Sequence, residues 1–295
     1  MRQKRKRNPS PLRAPTDPPP KNPNMIHIDD LRLPPPMRQL LAELIALLSV
    51  RGTEAYATGG FMRDALLGVD IHDLDISVRA DPLELGPQLA EMFDGHYFPL
   101  DAERGLVRVL MPEHDLHLDL LPLTGSLEDD LLARDYTIDA MAAPLNEMAA
   151  GSVRLTDPAG GLEDLRNRTV RLLSEEALVK DPLRLLRAVR LAAQLDFEIE
   201  PETADAIRSH SGLLAEVAAE RQRAELVQML RTNRAASALR LLDEMELLDR
   251  LLPEAAVMRE VEQPKEHNWN VFGHSLAAVE AFFSVTTTRP GCESG

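Results

Sequence analysis

Thr58-Gly59-Gly60-Phe61-Met62-Arg63-Asp64, with Asp73-Leu74-Asp75 shortly after it, is the stretch around which the chain is organised. The first piece is a glycine turn between an apolar run, Ala55-Tyr56-Ala57, and a helix-like run from Met62 to Leu67. Paired glycines let a backbone turn and approach a ligand without steric cost. The helix behind the turn presents free N–H groups and the positive end of its dipole, which suits phosphate. The second piece sets carboxylates at i and i+2 among Ile71, Leu74, Ile76 and Val78. On a strand both acids point to one face. Two acids on one face beside a phosphate turn are what a hard divalent cation such as Mg2+ needs. The combination points to metal-assisted nucleotidyl transfer.

Working outward, 295 residues with 44% apolar content suffice for two or more domains with their own cores. No apolar run reaches the length of a membrane span. The basic N-terminus lacks the apolar segment of a secretory signal. A single cysteine, Cys292, excludes an internal disulfide framework and fits a reducing cytoplasm. The net charge of −15 is unevenly spread: residues 1–24 carry +6, so the rest carries −21. A nucleic-acid partner would need a local basic groove on that acidic body. Arg166/Arg168/Arg171 and Arg184/Arg187/Arg190 are the candidates.

Residues 1–24 are rich in Arg, Lys and Pro and read as a disordered tail. Pro34-Pro35-Pro36 opens a helix that ends at Gly52. A strand over 54–58, the glycine turn, a helix to Leu67, the Asp73/Asp75 strand and a helix over 82–93 follow. Strands are expected over 95–100, 105–111 and 115–121. In the last, Leu116, Leu118 and Leu120 alternate with His117 and Asp119. Asp119 is thereby on a polar strand face and is a candidate third acid. After Pro144 strand signals nearly stop. Helices are expected over 178–195, 202–209, 213–232, 235–245 and 247–252. The fold class is α+β: a small mixed sheet with helices, then an all-helical body.

The stretch 58–68 followed by Asp73-Leu74-Asp75 resembles the first signature of the class II tRNA nucleotidyltransferases (CCA-adding enzymes) and bacterial poly(A) polymerases. Four more stretches fit in the same order. These are Asp130-Leu131-Leu132-Ala133-Arg134-Asp135-Tyr136-Thr137-Ile138-Asp139-Ala140-Met141-Ala142, Asp157-Pro158-Ala159-Gly160-Gly161, Lys180-Asp181-Pro182-Leu183-Arg184 with Arg187 and Arg190, and Glu220-Arg221 with Glu225. The resemblance covers about residues 53–230. It implies a DNA polymerase β-like nucleotidyltransferase head over 25–146, a nucleotide-selecting neck over 147–210 and an RNA-binding helical body over 211–260.

On this likeness Asp73, Asp75 and Asp119 hold Mg2+ and are catalytic. Gly59, Gly60, Arg63, Arg134, Asp135, Asp181, Arg184 and Arg187 bind the nucleotide. Arg134 would meet the phosphates and Asp135 the ribose hydroxyl. Asp181 and Arg184, at i and i+3, would hydrogen-bond the base edge. Gly160-Gly161 would be a hinge. The implied activity is template-independent addition of CCA, or part of it, to tRNA 3′ ends from CTP and ATP, releasing pyrophosphate. Poly(A) polymerase or A-adding activity shares every motif. An inactive nucleotide- or RNA-binding protein and an HD-type phosphohydrolase are readings of another class.

Three positions depart from the family pattern: Ala133, Asp139 and Lys180 stand where Arg, Asn and Glu are usual. Gln263-Pro264-Lys265-Glu266-His267 through His274 resembles the opening of an HD phosphohydrolase-type domain, so 261–295 reads as its truncated start. The run from Val285 onward does not read as continuing helix.

Overall fold

The protein is described here from a computed structural model covering residues 25–27, 31, 33–149, 152–261 and 270–287. The basic tail, Cys292 and His267 lie outside the described residues. The chain divides into two compact units, one up to Arg166 and one from Asn167 on.

The first unit is built on a six-stranded mixed sheet. Its strands in chain order are β2 (Ala55–Thr58), β3 (Asp73–Val78), β4 (His96–Asp101), β5 (Leu106–Met111), β6 (Leu116–Pro122) and β7 (Ala142–Pro144). The spatial order is β4-β5-β6-β3-β2-β7. Only β3 and β6 run parallel; the other neighbours are antiparallel. A separate pair joins β1 (Met25–His27) to β8 (Ser152–Arg154).

Period-two alternation decides which face is buried. Leu74, Ile76 and Val78 of β3, Val107 and Val109 of β5, and Leu118 and Leu120 of β6 are fully buried. Helices α1 (Pro35–Val50), α2 (Gly59–Leu67) and α3 (Pro82–Met92) belong to this unit. Helix α3 lies against the buried face: a Cβ on its Gly86 would sit 2.7 Å from Val107 Cγ1 and 3.4 Å from Tyr97 Cδ2. The opposite face carries Asp73, Asp75, His117, Asp119 and Arg108. A short α4 (Leu127–Leu132), capped by Ser126, leads to a 3-10 turn at Thr137–Asp139.

The unit runs past residue 146 because β8 returns to β1 and α5 (Gly161–Asn167) packs on the 3-10 turn. A Cβ on Gly161 would fall 2.1 Å from Thr137 O. No other residue fits there. Asp157 accepts from Gly161 N at 2.7 Å and Leu162 N at 3.0 Å, fixing the turn. The positive φ of this pair belongs to Gly160, at 77°. Gly161 is therefore required by close packing, which corrects the expectation that both glycines serve rotation.

The second unit is helical apart from β9 (Thr169–Val170) and β10 (Glu198–Ile199), which pair in parallel. Its helices are α6 (Glu175–Lys180), α7 (Arg184–Leu195), α8 (Pro201–His210), α9 (Ala219–Leu230), α10 (Ala235–Glu244), α11 (Leu248–Leu251), α12 (Glu254–Glu260) and α13 (Val271–Thr287). The helix expected over 178–195 is broken at Asp181–Leu183. Pro182 forces the break, because a residue before proline is driven out of the helical region. Asp181 accordingly sits at φ −146°, ψ 94°. The helix expected over 213–232 begins instead as a 3-10 segment to Glu216, and α9 starts at Ala219. Helix α13 continues through Val285 to Thr287, against expectation. Earlier on the same helix, Glu280 takes a 2.7 Å bond from Arg240 of α10.

Candidate active site

Strand β2 delivers the chain to the glycine turn, and Gly59 takes φ 63° where α2 begins. A left-handed φ at this point is cheap only for glycine. The turn is also crowded. A Cβ on Gly59 would lie 2.7 Å from Arg134 Nη1 and 3.0 Å from Asp75 Oδ2; one on Gly60 would lie 3.3 Å from Arg63 Nη2 and 3.4 Å from Asp75 Oδ2. The structure thus brings Gly59, Gly60, Arg63, Asp75 and Arg134 into one place from three separate parts of the chain.

The acids are set by strand register. Asp75 is the Cα partner of Asp119 across the parallel β3/β6 pair, and Asp73 is the partner of His117. All four side chains share the open face. His117 Nδ1 lies 3.1 Å from Asp73 Oδ1. Asp119 is held differently. Arg108, its Cα partner on β5, donates to it through Nε and Nη2, each at 2.6 Å. The same Nη2 lies 3.6 Å from Asp73 Oδ1. The hydrogen bonds to Asp119 raise the Arg108 pKa further above its ordinary value, and the charges of Asp119, Asp73 and Asp75 add to this against the opposing effect of burial.

Asp73 and Asp75 offer hard oxygen donors on one face next to a cradle that a Cβ would fill, a chemistry that suits a divalent cation. Among the described residues no three His, Cys, Asp or Glu side chains form a ready metal cluster. The chain's share in holding a cation would fall first on Asp73 and Asp75, with Asp119 engaged by Arg108.

Arg134 donates to Asp139 O at 3.2 Å through Nη1 and to Asp130 Oδ2 at 3.2 Å through Nη2. These bonds hold its guanidinium at the glycine turn. Asp135 is buried, and its Oδ1 accepts from Tyr136 N at 3.0 Å. Arg63 is 9% exposed and Asp139 only 2%. Arg63 donates to Asp139 Oδ1 through Nη1 and to Asp64 Oδ1 at 2.8 Å through Nε. Arg63 therefore ties α2 to the 3-10 turn, and its charge is matched by carboxylates of the chain. Asp139, one of the departures from the family pattern, is the carboxylate that matches it.

In the second unit Asp181 follows α6, and Arg184 opens α7. Asp181 Oδ2 takes a 2.9 Å bond from Arg221 Nη2, and its Oδ1 accepts from Leu183 N at 3.3 Å. Arg184 N donates to Asp181 O at 3.0 Å, and its Nη1 to Ala177 O at 3.4 Å. Arg190 Nε donates to Glu225 Oε2 at 2.6 Å. The Glu220-Arg221…Glu225 stretch thus clamps the Lys180–Arg190 stretch at two points. Arg187 lies on α7 between them and is partly buried. Lys180 is exposed at the end of α6.

Arg108 was not singled out from sequence, and neither were the pairing roles of Asp130 and Asp139. Arg108 carried a signal, since it alternates with the buried Val107 and Val109 and so faces the same way as Asp119.

Two sequence profiles match the chain. One, described as "Poly A polymerase head domain", matches residues 55–121 and 117–171. The other, described as "Probable RNA and SrmB- binding site of polymerase A", matches 196–258. An A-adding tRNA nucleotidyltransferase of Deinococcus radiodurans is 40% identical over 81% of this chain and 54% of its own length. A CC-adding tRNA nucleotidyltransferase of Geobacter sulfurreducens is 44% identical over 64% of this chain and 44% of its own. The chain thus spans about half the length of these curated relatives. Among solved structures, a Thermotoga maritima CCA-adding enzyme complexed with tRNA is similar at TM-score 0.69 and 28% identity, covering 78% of this chain and 56% of that one. A complex of CCA-adding enzyme with ATP is similar at TM-score 0.68, with the same identity and coverage.

Proposed function

We propose that the chain, whose residues 55–171 match the poly(A) polymerase head-domain profile, is a nucleotidyltransferase that adds CCA, or part of it, to tRNA 3′ ends from CTP and ATP. The observation that carries this is the meeting of Asp75 with the Gly59-Gly60 turn and Arg134, with Asp73 on the same face of the same strand. Similar proteins that add CC, A or CCA support the choice of tRNA as acceptor.

In the reaction the RNA 3′-hydroxyl oxygen forms a bond to the nucleotide α-phosphorus, and the bond from that phosphorus to the bridging oxygen breaks, releasing pyrophosphate. Asp73 and Asp75 would hold Mg2+, which would offset phosphate charge and make the hydroxyl a better nucleophile. Gly59 and Gly60 let the phosphates reach the backbone of the turn. Arg134, fixed by Asp130 and Asp139 O, supplies a charge-assisted donor to them. Asp135 accepts from the ribose hydroxyl. Asp181 and Arg184 present an acceptor and several donors to the base edge. Arg187 adds a further nucleotide contact. Arg63 acts one step back, as the buried tie that keeps α2 and the 3-10 turn in register. The reducing cytoplasm is the compartment for this work; among the described residues no helix is long and apolar enough to cross a membrane.

The test uses tRNA transcripts ending before CCA and after CC, with labelled CTP or ATP and Mg2+. Wild type should extend at least one of them, and which nucleotide enters separates CC-, A- and CCA-addition. Asp73→Ala or Asp75→Ala should reduce extension by a factor on the order of 10³. Absence of extension by wild type on every transcript, or full extension by Asp73→Ala, would overturn the proposal.

A further inference from the structure

The acid row continues beyond the acids. Asp75 pairs in register with Asp119, Asp119 with Arg108, and Arg108 with Phe98 on the edge strand β4. Residues directly opposite in neighbouring strands point to the same face, so Phe98 stands on the open face in line with the acids. It is 38% exposed, a large aromatic surface left in water. Its neighbour Tyr97, 43% exposed, points the other way, toward Gly86 of α3. Strands are about 4.8 Å apart, so three steps place Phe98 about 14 Å from Asp75 along the sheet.

We propose that this half of the sheet face is a shelf for the 3′-terminal strand of the RNA, with Phe98 stacking on a base upstream of the reacting end. The inference rests on the function proposed above for Asp73 and Asp75. Three features select a single RNA strand as occupant. The shelf is continuous with the acids at which a 3′-hydroxyl must arrive. It offers an exposed aromatic ring, and unpaired bases stack on such rings whatever their sequence. It has a guanidinium, Arg108, between ring and acids, where a strand passing from one to the other places its backbone. At about 3.4 Å per stacked nucleotide, and more when extended, about 14 Å corresponds to two to four nucleotides.

The experiment measures binding of the whole chain to a 5′-labelled oligoribonucleotide and to tRNA across a salt series, alongside extension kinetics. Phe98→Ala should weaken RNA binding by about five- to a hundredfold, raise the RNA KM and leave the CTP and ATP KM values unchanged. The salt slope should stay the same, because no phosphate contact is lost. Phe98→Tyr should restore affinity, and Tyr97→Ala, on the other face of the same strand, should keep it. RNA affinity unchanged in Phe98→Ala, or equally reduced in Tyr97→Ala, overturns the shelf. If wild type extends no RNA yet loses RNA binding with Phe98→Ala, the shelf stands and the proposed reaction falls. If wild type extends RNA and Phe98→Ala does so with the same RNA KM, the reaction stands and the shelf falls.

Discussion

Replacing Gly59 by alanine should separate catalysis from stability. Gly59 has φ 63°, where a residue with a Cβ costs about 1–2 kcal/mol. Part of this is offset by about 0.4–1 kcal/mol, because alanine has less freedom to lose on folding. The net loss is about 1 kcal/mol, or about 2–4 °C in Tm for a domain of this size. The effect on the site is larger. The added Cβ would stand 2.7 Å from Arg134 Nη1 and 3.0 Å from Asp75 Oδ2, so the guanidinium must move and the carboxylate must give. A misplacement of about 1 Å at reacting groups costs about a hundredfold. Gly60→Ala is the internal control. Gly60 has no positive φ, and its Cβ would meet side-chain ends at 3.3 and 3.4 Å, so about a tenfold loss or less is expected. The assay is single-nucleotide extension under saturating RNA, with thermal unfolding on the same samples. A Gly59→Ala protein within about threefold of wild-type kcat/KM, or a Gly60→Ala protein equally impaired, would refute the crowding argument; a factor of three is under 1 kcal/mol.

Two further substitutions test the ion pairs. Asp139→Ala leaves the Arg63 guanidinium buried without its deepest carboxylate and should cost about 3–5 kcal/mol in urea unfolding, whereas Asp139→Asn keeps an acceptor and should cost clearly less; equal stability of the two variants would count against the tie. A double-mutant cycle on Arg108→Ala and Asp119→Ala should give a coupling energy of about 1–3 kcal/mol from unfolding curves, and a value near zero would mean that the paired bonds do not persist in solution.

Much of the first unit was legible because its signals are local. Glycines at 59 and 60, acids at 73 and 75, and the strict alternation of 116–121 each depend on neighbours a few residues away. The elements found over 35–50, 55–58, 59–67 and 73–78 follow from them. What was not legible depends on register or on distant packing. Asp119 was readable as a polar-face residue, but its capture by Arg108 needs the β5/β6 pairing. The Arg63–Asp139 tie joins residues that are 76 apart in the chain. Gly161 resembled a hinge glycine because nothing local reveals that Thr137 O occupies the place of its Cβ. The break at Asp181 is a different case. Pro182 carries the signal, but the apolar periodicity on both sides of it masks the break.

Strand β4 has a consequence for how the molecule behaves in company. It is the end strand of the sheet, and Tyr97, Phe98 and Leu100 are all exposed on it. An end strand with apolar side chains invites a strand from another molecule to add alongside. Pro99, in the middle of β4, brings no N–H to such a ladder, and the register shifts between Pro99 and Asp101, kinking the edge. The same strand can therefore keep a sticky aromatic surface in water without becoming a template for aggregation.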